Sequence, residues 1–148
     1  RGVAGVAIGV AGSAVIGVIV GVMVASDGVS LVGTNLDLTR RSLAASTEGY
    51  VLVCDDPNIL FEVQEAATTP FTSADIGYNC NFLIAAGATT NSDSGTTTAI
   101  AVSANTATLN LKLMGLSQRE DNAFGAYAKW LVKINNHVYG SSTGTAGI

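Results

Sequence analysis

Charge is scarce in this sequence. Asp, Glu, Lys and Arg make up 12% of its 148 residues, and between positions 66 and 111 only Asp75 and Asp93 are charged. An average globular chain carries roughly 25%. Mean hydropathy is positive; one explanation is a membrane, another is a surface covered by neighbouring subunits, since large permanent protein interfaces are apolar in this way. The 7 basic and 11 acidic residues give a net charge of −4. That leaves no basic face for a phosphate backbone, and nucleic acid is not an expected partner.

Histidine and cysteine are almost missing. His137 is the single imidazole, and Cys54 and Cys80 stand far apart with no CxxC spacing. One histidine and two separated thiols do not make a zinc set. Both cysteines are expected to be buried free thiols in a reducing compartment. Any Ser-His-Asp set would have to use His137, and no nucleophile elbow between a strand and a helix accompanies it. A phosphate-cradling glycine loop is also lacking. Asp55 and Asp56 are adjacent, but they open the turn Asp55-Asp56-Pro57-Asn58, where carboxylates serve nearby backbone. No catalytic, cofactor-binding or metal-ligating residue is assigned, and no enzymatic activity is expected.

What is abundant is the signature of β-structure. Leu109, Leu111 and Leu113 alternate with Asn110 and Lys112, and Trp130, Val132 and Ile134 alternate with Leu131 and Lys133. Period-2 alternation of this kind marks strands with one buried face. YVLVC (50–54) reads as a continuous apolar strand. After the DDPN turn, Ile59, Phe61 and Val63 oppose Glu62 and Gln64. Further strands are expected at 81–86 and 98–102, with a polar loop at 89–98 and a hairpin return at 29–32 after the Asp27-Gly28 turn. Eight to ten short strands, and at most one helical turn near 121–128, indicate an all-β, single-domain antiparallel sandwich or barrel.

The two ends differ from the middle. Residues 2–26 hold no charge and six glycines with many Val and Ile. Their length meets the crude test for a bilayer span, yet Gly and β-branched residues favour extended chain. The expectation is an extended N-terminal arm (1–13) and a strand within 14–24; the alternative is a membrane-anchored surface protein spanning at 2–25. The β-domain then covers 14–139, and GSSTGTAGI forms a Gly/Ser/Thr-rich C-terminal tail (140–148) held by something other than its own core.

Between the 109–113 and 130–134 strands lies a knot of hydrogen-bonding and charged groups, Gln118-Arg119-Glu120-Asp121-Asn122. A second basic feature is the pair Arg40-Arg41, whose guanidinium forks suit carboxylates. The competing reading of 119–122 is an intramolecular pairing that closes the loop. A glycan-binding module would want clustered exposed aromatics, and the nine aromatics are spread along the chain.

The segments YVLVCDDPNILFEVQE (50–65), ADIGYNCNFLIAAGATT (74–90) and ATLNLKLMGLSQREDNAFGAYAKWLVKINNH (107–137) resemble a set of small structural proteins of tailed bacteriophages, the head decoration or cement proteins. The resemblance spans roughly residues 15–139, with the DDPN turn, the QREDN…AKWLV run and the INNH ending as its most specific parts. Residues 1–13 depart from the pattern, where a more polar arm is expected. The resemblance implies a virion protein on the capsid exterior, assembled in the host cytoplasm. Its partner would be the major capsid protein, with self-association as a dimer or trimer. Arg40, Arg41, Arg119, Glu120, Asp121 and Asn122 are the candidate capsid contacts.

Overall fold

A computed structural model describes residues 9–24, 36–39, 49–66, 70–86 and 96–148. The chain is all-β. Its strands are β1 (Val18–Val24), β2 (Leu36–Asp37), β3 (Gly49–Cys54), β4 (Leu60–Glu65), β5 (Asn79–Ala86), β6 (Thr96–Ala104), β7 (Leu111–Leu116) and β8 (Lys129–Ile134). Among the described residues the helical turn is not at 121–128 but at Ser73–Asp75, a short 3-10 segment. Thr72 and Asp75 fix it reciprocally: the Thr72 hydroxyl accepts from Ala74 N, and the Asp75 carboxylate accepts from Thr72 N at 2.7 Å.

The strands form two units. β4, β6, β5, β7 and β8 close into a five-stranded barrel, and β2-β1-β3 form a separate antiparallel sheet. The barrel departs from the expected antiparallel pattern at one junction, where β4 and β6 run parallel through Gln64↔Ala99 and Glu65↔Ile100. A parallel neighbour needs a long crossover, and the excursion through β5 supplies it. The barrel rather than a two-layer sandwich is therefore the architecture of residues 60–134.

Alternation explains which side chains fill it. In β8 Trp130, Val132 and Ile134 are buried while Lys129, Leu131 and Lys133 are only partly so. Phe71, Phe82, Ile100, Leu111 and Leu113 complete the core, with Phe61, Val63 and Leu116 packed at its margin. Trp130 is fully buried and meets the Phe71 ring edge-on, centroids 5.9 Å apart. Leu113 and Leu116 are three residues apart yet both reach the core, because a bulge between Leu113 and Gly115 leaves Met114 as the extra residue.

Buried amides, not hydrophobes, close the lower end. Asn110 accepts from Gly12 N at 2.7 Å and donates to Ser13 O and Val10 O, which holds the N-terminal segment against the barrel. Asn135 donates to Ala107 O and Leu109 O and accepts from Thr145 N. Asn136 donates to Thr108 O, and Asn79 to Thr106 O and Thr145 O. Val15 bridges His137 in parallel. The C-terminal segment, expected to be held by something outside its own core, is tied to the barrel instead. Gly147 N donates to Asn105 O and Ile148 N to Gly77 O. Gly144, at φ 70°, has Ala107 O and Asn136 Oδ1 where a Cβ would sit, so no other residue fits without moving them.

Among the described residues no helix is long and apolar enough to cross a membrane, and residues 9–24 run as a turn followed by β1. The hairpin return at 29–32 and most of the 89–98 loop lie outside the described residues.

Candidate interaction surface

The β7–β8 connection carries four of the six candidate contacts, and its own hydrogen bonds fix its shape. Asn122 donates from Nδ2 to Ser117 O (2.8 Å) and Lys129 O (2.7 Å), and its Oδ1 accepts from Lys129 N (2.9 Å). One amide thus pins both ends of the loop, extending the β7–β8 ladder with a side chain. Ser117 N also donates to Lys129 O, and Ala128 O accepts from Glu65 N. Asn122 is a brace, not a free contact.

The charges of the loop are largely satisfied within the chain. Arg119 pairs with Glu62 on β4 at 2.7 Å, and Ser117 Oγ donates to the other Glu62 oxygen. Asp121 faces Lys129 at 3.6 Å. Both pairs are partly exposed, so each contributes only about 0–1 kcal/mol. Glu120 is exposed. Arg40 and Arg41 lie outside the described residues.

Besides these charges the loop offers two aromatic side chains. Phe124 is 50% exposed while its ring leans on Trp130, centroids 5.7 Å apart. Tyr127 is 62% exposed and has φ of 63°, the one non-glycine in the left-handed region among the described residues. That conformation costs a tyrosine about 1–2 kcal/mol. The bonds at Ala128 and the Gln64 side chain, which donates to Tyr127 O at 3.1 Å, hold it there. The signal in the sequence was the run AFGAYA itself: two aromatics among small residues leave nothing local to cover them.

A second apolar surface lies on the three-stranded sheet. Met23 pairs with Leu36 and Tyr50, and Leu52 pairs with Gly21, so these side chains share one face. Tyr50, Leu52, Leu36 and Leu38 are all exposed. Gly21 is required there: a Cβ would run into Leu38 and Leu36 side chains. Among the described residues nothing pairs with the outer edge of β3, and that strand holds neither proline nor charge, the devices that normally block an open edge.

The chemistry available elsewhere is limited. Among the described residues no group of three or more His, Cys, Asp or Glu could hold a metal ion. Cys54 and Cys80 are both free thiols; burial pushes the Cys80 thiol up to about 12, so it is unreactive. Gly140-Ser141-Ser142-Thr143-Gly144 has the spacing of a nucleophile motif, but it forms a turn in the C-terminal segment, not a strand-to-helix elbow. His137 Nδ1 accepts from Tyr139 N at 3.0 Å, so no carboxylate orients the ring.

The fold and surface together define a small β-barrel protein with an appended apolar sheet and a braced aromatic loop. No family model, curated protein or solved structure matches the chain.

Proposed function

We propose that this is a structural protein of a tailed-phage virion, a head decoration protein that binds the major capsid protein on the capsid exterior and self-associates. The observation that carries the reading is the braced loop, which holds an exposed Tyr127 in a strained conformation on the same connection as Phe124 and Arg119. Strained residues persist where the surroundings over-determine them, commonly at binding sites. Tyr, Phe and Arg are also the residues enriched in interface cores. The apolar face of β1–β3 adds support, because a chain so poor in charge has little else to present. Glu120, exposed on the same loop, and Arg40 and Arg41 complete the proposed capsid contacts.

Mechanistically, such a protein needs no bond chemistry. Each copy adds buried area across a junction between capsid subunits, and expansion of the head must break many such contacts together, so modest single interfaces act multivalently. The β3 edge, with which nothing among the described residues pairs, suits self-association, since two copies related by a two-fold axis pair antiparallel through the same strand.

The test is add-back. Heads made without the protein should lose resistance to heat or chelators and regain it with the wild-type chain, but not with Tyr127→Gly, which removes the ring and relieves the strain. Normal robustness of heads lacking the protein, or full rescue by Tyr127→Gly, would refute the reading.

A further inference from the structure

A cavity of about 570 Å³ opens on the outside of the barrel where β7 and β8 meet the C-terminal segment. That volume lies within the range of small-molecule sites. Its walls include Pro57, Met114 and Ile148, together with Lys112, Lys133 and His137. Among the described residues that line it there is no aspartate or glutamate side chain.

One feature of that wall is unfavourable as it stands. Lys112 and Lys133 are direct cross-strand partners on the outer face of β7–β8, and like charges directly opposite one another destabilise a sheet. The chain has only 7 basic residues against 11 acidic ones, so placing two of the seven face to face without a carboxylate between them is a specific arrangement. Lys133 Nζ donates to the neutral Asn58 Oδ1 at 3.0 Å, which positions the ammonium without cancelling its charge. Both ammonium groups are answered by the same thing, an anionic acceptor between them.

We infer that this cavity binds a small organic anion, with a compact carboxylate or phosphate head between Lys112 and Lys133 and an apolar body against Met114, Pro57 and Ile148. This site is separate from the 117–128 loop and stands independently of the capsid reading.

The experiment is calorimetric titration of the full chain with hexanoate, hexyl phosphate and inorganic phosphate at constant ionic strength, which separates the two head groups and the contribution of the alkyl body. Saturable binding of hexanoate or hexyl phosphate is expected, weakened at least tenfold in Lys112→Gln and in Lys133→Gln. Lys129→Gln, whose lysine faces Asp121 away from the cavity, should bind as wild type. Both lysines point outward from strands, so the variants should fold, and thermal unfolding checks it. Equal binding by Lys112→Gln and wild type, no response beyond that to chloride, or inorganic phosphate binding as tightly as hexyl phosphate would each overturn the inference.

Discussion

Glu65 is the residue whose environment is most at odds with its chemistry. It is 1% exposed at the end of β4; one carboxylate oxygen accepts from Phe71 N at 3.1 Å and the other has no partner among the described residues. Burial raises its pKa above the ordinary 4.5, and the charge of Asp75 adds to the rise. The Phe71 N–H opposes it, as does the Trp130 indole, which lies near without hydrogen-bond geometry. An acid whose pKa is higher in the folded chain stabilises the fold below its unfolded value and loses that contribution as pH climbs through the folded one. Melting temperature should therefore fall as pH rises above 4.5, and Glu65→Gln should flatten that fall; an unchanged pH profile in the variant would contradict this account. At Tyr127 the expected sign is the reverse of an ordinary truncation. Tyr127→Gly should leave stability level or raise it by about 1 kcal/mol by removing the left-handed strain, measured by denaturant unfolding, whereas Tyr127→Val should lower it.

At the scale of elements, the β7–β8 hairpin concentrates both strength and cost. Asn122→Ala removes the brace and strands the Lys129 N–H, an expected loss of about 1–3 kcal/mol, with faster amide exchange at Lys129 as the local signature. Lys112→Gln relieves the opposed ammonium groups and should gain roughly 0.2–1 kcal/mol in ligand-free protein, a gain that shrinks at high salt. Trp130→Ala empties the middle of the core, where aromatic truncation costs about 3–5 kcal/mol. Much of this hairpin was legible in advance, because alternation in 111–113 and 130–134 follows from one buried face. The bulge at Met114 was not, since nothing in LKLMGL announces where the register slips. Nor was the role of Asn122, whose neighbours Arg119, Glu120 and Asp121 drew attention to charge when the backbone needed an amide. The exposed aromatics of the same loop were hidden for a related reason: sequence gives hydrophobicity, whereas exposure depends on what the rest of the chain leaves uncovered.

For the whole molecule, the all-β class followed from composition and period, but the choice of a barrel plus a small sheet did not. That choice rests on pairings between distant strands, β4 with β8 and β5 with β7, which local pattern does not encode. The INNH ending was visible as a motif, yet its work as a clamp on Val15, residues 107–109 and Thr145 depends on segments far apart in sequence. The same clamp explains why the Gly/Ser/Thr-rich end docks instead of trailing. Cys54 is partly exposed and Cys80 is fully buried, so native protein should react with one equivalent of a thiol reagent and reach two only on unfolding. Rapid reaction of both thiols in the native state would mean a looser barrel than the one described.

Two junctions of the barrel, the parallel one of β4 with β6 and the antiparallel one of β5 with β7, rest on two residue pairs each, while β5 with β6 and β7 with β8 are long antiparallel ladders. A closed cylinder is only as tight as its shortest lap joints, and breathing motions should begin by unzipping at these two, uncovering Ile100 and the Glu65 carboxyl at one and Cys80 and Leu111 at the other before any other interior group.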